Sequence, residues 1–71
     1  MRHKELPERA CIIRMQEVMA QTGLSRSHVL YLARKFEFPS PLWLSDRAFG
    51  FLQSEVDGWI ASRPRMEFRH D

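Results

Sequence analysis

At 71 residues the chain has room for one domain, which leaves no space for a substrate domain beside a cofactor domain and excludes most metabolic enzyme folds. Hydrophobic residues make up 44% and charged residues 28%, a globular balance rather than a disordered one. Eleven Lys and Arg against nine Asp and Glu give a net charge of +2, so any case for a polyanionic partner rests on where the charges sit.

Cys11 is the only cysteine, so no intrachain disulfide and no two-cysteine zinc pattern can form. That suits a reducing compartment. No apolar run approaches the roughly 18 residues of a membrane span. The polar start MRHKELPERA lacks the apolar stretch of a signal peptide. A soluble, cytoplasmic protein is the expectation, with no cofactor, no metal and no membrane partner.

Residues 1–10 read as a polar, flexible tail in which Arg2, Lys4 and Arg9 are available to a polyanion. Cys11-Ile12-Ile13 is a short apolar run that reads as an extended lead-in, with Cys11 as a small buried hydrophobe. Met15 to Gln21 predicts a short helix with Val18 and Met19 inward and Glu17 and Gln21 outward. Thr22-Gly23 stops it, because glycine takes the left-handed conformation without a Cβ penalty.

Ser25 is an N-cap, able to accept from the free N–H groups of the next turn. A helix from Arg26 to about Phe36 follows, with Val29, Leu32, Ala33 and Phe36 as one apolar stripe. The opposite face carries Ser27, Tyr31 and Arg34, flanked by His28 and Lys35. Leu24 to Phe36 holds three positive residues and no acid, so positive charge is concentrated there.

Pro39 and Pro41 end that helix. Leu42-Trp43-Leu44 and Ala48 to Leu52 predict two strands joined by a Ser45-Asp46-Arg47 turn, with Phe49 and Phe51 on one side. Trp43 alternates away from Leu42 and Leu44 and is the expected exposed aromatic; Phe49, Phe51 and Trp59 read as core rather than as a base-stacking platform. Ser54-Glu55-Val56-Asp57 matches a capping box in part and sets the start of a last helix. Val56, Trp59 and Ile60 form its apolar set, and Pro64 ends it. The ordered domain is therefore expected over residues 11–63, with 64–71 a frayed tail.

Helix, tight glycine turn, helix with a basic polar face, hairpin, helix is the order of a small winged helix-turn-helix, a mainly α fold with a small β-hairpin. The first helix braces the second, and the second packs on the core with one side and offers hydrogen-bonding groups to a DNA major groove with the other. Ser25, Arg26, Ser27, His28, Tyr31, Arg34 and Lys35 are the candidate DNA contacts, and Arg47 is the candidate at the hairpin tip. Arginine can pair with guanine in a bidentate way, Ser and Tyr can bond bases or phosphates, and His28 and Lys35 suit phosphate rather than base. The competing reading of each is a solvated surface group. Ser, His and Asp occur, but nothing groups them as a triad, and Glu55 and Asp57 are explained by capping.

The runs Ile12-Ile13-Arg14-Met15-Gln16-Glu17-Val18, Thr22-Gly23-Leu24-Ser25-Arg26-Ser27, Phe38-Pro39-Ser40-Pro41, Arg47-Ala48 and Ser54-Glu55-Val56-Asp57-Gly58-Trp59-Ile60 resemble the AlpA family of phage-type transcriptional regulators. That family is related in fold to excisionases and to the DNA-binding heads of MerR-like regulators. The resemblance covers about residues 11–62. It implies that the helix from Arg26 is the recognition helix, that Ser45 to Ala48 is the wing, and that the family's wing arginine is Arg47. It departs from the family at Phe36, where relatives carry glycine near the helix end. It departs again at Leu30-Tyr31, where they have Tyr then Arg, and at Ser45, where they have a wing-turn glycine.

The resulting expectation is a sequence-specific regulator of a prophage or integrative element that binds double-stranded DNA without catalysis. An excision role, self-association on repeated DNA sites and contact with an integrase or RNA polymerase are compatible with it. The rival is an antirepressor that uses the same fold to bind protein.

Overall fold

The computed structural model describes residues 10–68. Strand β1 (Ile12–Ile13) leads into helix α1 (Met15–Thr22), then helix α2 (Arg26–Arg34), strand β2 (Leu42–Ser45), strand β3 (Ala48–Leu52) and helix α3 (Gln53–Ala61). The lead-in segment is more than extended. Ile12 pairs with Leu52 and Ile13 with Phe51, so the sheet has three antiparallel strands in the order β1-β3-β2. The flexible tail expected over 1–10 lies, apart from Ala10, outside the described residues.

α1 ends as its sequence predicts. Gly23 has φ 77° and donates its N–H to the Met19 carbonyl at 2.8 Å, a left-handed cap. Thr22 Oγ1 donates to the Val18 carbonyl and accepts from the Leu24 N–H, which fixes the three-residue turn into α2. Ser25 caps α2 by accepting from the His28 N–H at 3.2 Å.

α2 stops two residues earlier than expected, at Arg34. Phe36 has φ 61°, the left-handed region, and cannot continue the helix. The Phe36 N–H donates to the Ala33 carbonyl at 3.0 Å and the Glu37 N–H to the Leu32 carbonyl at 2.8 Å, the paired bonds of a Schellman cap. Phe36 is therefore not in the apolar stripe but 87% exposed. Glycine would take this backbone without penalty, whereas Phe36 pays steric strain for it.

The hairpin forms with Asp46-Arg47 as a two-residue turn; Ser45 is the last residue of β2, opposite Ala48. Leu44 is an extra residue between the Trp43–Phe49 and Ser45–Ala48 pairs, a bulge in β2. β3 runs directly into α3. Leu52, not Ser54, occupies the N-cap position and supplies no side-chain cap. The Gln53 N–H is satisfied by the Cys11 carbonyl at 2.8 Å, and its Nε2 donates to Asp57 Oδ1. A strand pairing thus does the work expected of a serine. Cys11 itself is exposed, because its backbone rather than its thiol is what the fold uses.

The core is Ile13, Met15, Val18, Val29, Ala33, Phe38, Phe51 and Val56, with Leu52 beside it. Met19, Leu24, Leu30, Leu32, Phe49 and Trp59 pack against it half-buried. Ile60 turns partly to solvent instead of completing the apolar set of α3. Trp59 Nε1 donates to the Glu37 carbonyl at 2.7 Å, tying α3 to the segment after α2. Gly50 is needed for close approach: a Cβ there would lie 2.6 Å from Ile12 Cγ2 and 3.0 Å from the Ile13 carbonyl oxygen.

Candidate nucleic-acid interface

α2 is the second helix of the helix-turn-helix and buries Val29 and Ala33 against the core. Its other side is exposed along its whole length. Ser25, Ser27, His28, Tyr31 and Arg34 line one open depression on that side, and no acid lines it. Within it Ser25 Oγ and Ser27 Oγ lie 3.4 Å apart, and the His28 and Tyr31 rings sit 6.4 Å apart at a tilt. These are hydrogen-bonding groups and one guanidinium on a rigid helix, the arrangement that base and phosphate readout requires.

Arg26 and Lys35 lie at the two ends of this face and are engaged differently. The Arg26 guanidinium stands 6.0 Å from the centre of the Phe49 ring, so it leans toward the hairpin. Lys35 Nζ donates to the Tyr31 hydroxyl at 3.3 Å and lies 3.8 Å from a Glu37 carboxylate oxygen. The threefold positive charge of Leu24 to Phe36 is thus partly answered by an acid one residue beyond that window. The signal was in the sequence: Glu37 follows Lys35 by two residues, and the turn at Phe36 brings them together.

Arg47 is exposed in the hairpin turn, apart from the depression on α2. Two residues outside the candidate contacts shape the hairpin beside them. Arg14 Nε donates to the Phe49 carbonyl at 2.9 Å and supports the hairpin from the β1 side. Trp43, 75% exposed as its alternation predicts, packs edge-on to Phe49 at 6.3 Å. Edge-to-face contacts continue from Phe49 to Phe51, from Phe51 to Phe38 and from Phe38 to Trp59. This aromatic ladder makes the hairpin an extension of the core.

Among the described residues no cluster of His, Cys, Asp and Glu could hold a metal ion. His3 and His70 lie outside them. No described helix is long and apolar enough to cross a membrane.

Comparison with known proteins places the chain in a family. The chain is 45% identical over 51 residues to an uncharacterized protein, ORF88, of Enterobacteria phage P4. The match covers 72% of this chain and 58% of that protein, so the chain spans well under two thirds of its relative's length. No solved structure matches. The profile of the prophage CP4-57 regulatory protein (AlpA) matches residues 11–64, which takes in every element from β1 to α3. The chain belongs to the AlpA family of prophage regulatory proteins.

Proposed function

We propose that this protein is a sequence-specific double-stranded DNA-binding regulator of a prophage or integrative element, acting on the host nucleoid. The observation that carries the reading is the acid-free depression of Ser25, Ser27, His28, Tyr31 and Arg34 on the exposed side of α2. α2 enters the major groove with this face, and Arg47 reaches the adjacent backbone or minor groove from the hairpin turn. Arg26, Arg34 and Arg47 supply the phosphate or guanine contacts, with Lys35 as a fourth charge. No catalytic step is involved; binding acts by occlusion, recruitment or bending. The same contacts serve promoter control and excision of the element, which differ in the site bound and the number of copies on it.

The test is the salt dependence of binding to duplexes selected from a random pool. Each neutralised phosphate steepens the slope of log K against log salt by about 0.9, so three to four contacts give about −3 to −4. Arg34→Ala should weaken binding while the fold is retained, because Arg34 is exposed. A folded protein that binds no duplex at low salt overturns the reading. It would favour the antirepressor reading instead, for which the exposed Trp43 is the supporting observation.

A further inference from the structure

β2 is an edge strand: β3 pairs with one side of it, and among the described residues no strand covers the other. Its outward N–H and C=O groups are available to a further strand. Beside this edge lies an apolar groove of about 230 Å³, lined by Leu30 of α2, Pro41, Leu42, Trp43 and Phe49. Trp43 forms its exposed wall.

The segment after α3 carries what such an edge would take. Pro64 stops the helical path, and Arg65-Met66-Glu67-Phe68 then alternates charged and apolar residues, the pattern of a half-buried strand. Met66 is 79% and Phe68 71% exposed, and the segment is in no element of its own chain. No residue of that segment lines the groove. Glu55, in the first turn of α3, lines a depression together with Leu42, whereas the segment leaves from the far end of that helix. A chain with a strand-patterned segment and an unpaired edge that do not meet each other offers both halves of an interface to a second copy.

We propose that residues 65–68 of one copy add as a short strand to the free edge of β2 in a second copy. Met66 and Phe68 then lie on the side of Trp43 and Pro41, against Leu30 and Phe49, and Arg65 and Glu67 face away. The interface is heterologous, since the groove of one copy receives the segment of the next. Each copy therefore has one groove and one segment to offer, and takes part in up to two such contacts.

The experiment is sedimentation equilibrium of the full chain without DNA, so its outcome is independent of the DNA-binding reading. The contact is small, so association is expected over about 10 µM to 1 mM protein. Phe68→Asp removes the inserted side chain and Trp43→Asp the groove wall. Both residues are exposed, so each variant should keep its circular dichroism spectrum while its association weakens at least about tenfold. Mixing the two variants is the decisive step. The Phe68→Asp chain retains its groove and the Trp43→Asp chain retains its segment, so the mixture should form heterodimers and stop there. A wild-type chain that stays monomeric to about 1 mM overturns the proposal, including one whose own segment folds back on its groove. Variants that associate like wild type, or a mixture that stays monomeric, overturn it too.

Discussion

Phe36→Gly should stabilise the protein, although it removes a large aromatic side chain. Phe36 sits at φ 61°, where a side chain bearing a Cβ costs about 1–2 kcal/mol. Its ring is 87% exposed, so the burial it gives up is a small part of the roughly 1.5–3 kcal/mol of a fully buried Phe, about 0.3 kcal/mol. Glycine adds freedom to the unfolded chain, an offset of about 0.4–1 kcal/mol. The net gain for glycine is about 0.5 kcal/mol. Phe36→Ala isolates the backbone: it loses the ring, keeps the strained Cβ, and should be neutral or slightly destabilising. The glycine variant should then exceed the alanine variant by about 1 kcal/mol, or about 4–8 °C in Tm for a domain of this size. Thermal and urea unfolding followed by far-UV circular dichroism measure this, and equal m-values would show that the unfolded states match. Alanine as stable as glycine would refute a left-handed Phe36, and with it the paired cap bonds that end α2.

Three further substitutions probe other parts of the fold and the site. Gly50→Ala should destabilise by about 1–3 kcal/mol, because its Cβ would meet Ile12 and the Ile13 carbonyl and push β1 off β3; urea midpoints read this directly. Phe51→Ala, at a fully buried ring, should cost about 3–5 kcal/mol. Against a total of about 4–10 kcal/mol for 71 residues, that removes from about a third of the stability to all of it, read as a lowered urea midpoint and, at the extreme, as lost chemical-shift dispersion. Glu37→Gln should leave stability within about 0.5 kcal/mol, since an exposed ion pair contributes little. It releases Lys35, so the salt slope of DNA binding should steepen by up to about 0.9; an unchanged slope would show that Lys35 reaches no phosphate.

Local signals carried the parts of the fold that local physics decides. Gly23, Ser25 and the Val29–Ala33 stripe sit where their own conformational preferences put them. The Asp46-Arg47 turn and the exposed Trp43 follow from composition and alternation. The signals that misled were answered by distant residues. Ser54 looks like an N-cap, yet the first helical N–H is bonded to Cys11, 42 positions earlier, and no pattern near Ser54 encodes that. Ile12 and Ile13 are too few to announce a strand by themselves; β3 makes them one. Phe36 falls on the helical apolar period, and only the left-handed backbone takes it out of the stripe. At the candidate site, the exposed face of α2 was legible from spacing. The Arg26–Phe49 contact was not, because it depends on how the hairpin folds back on the helix.

That contact limits how separately the core and the proposed DNA surface can vary. Phe49 packs edge-on to Phe51 in the core and to Trp43 on the surface, its carbonyl accepts from Arg14, and its ring lies under Arg26. One side chain thereby positions the hairpin relative to α2 and sets where the Arg26 guanidinium stands. A change at Phe49 would act on stability through the aromatic ladder and, under the proposed function, on DNA affinity through the placement of Arg26. The exposed face of α2 can change residue by residue with little effect on folding. The angle between helix and hairpin cannot, because the aromatic ladder that fixes it runs unbroken into the core.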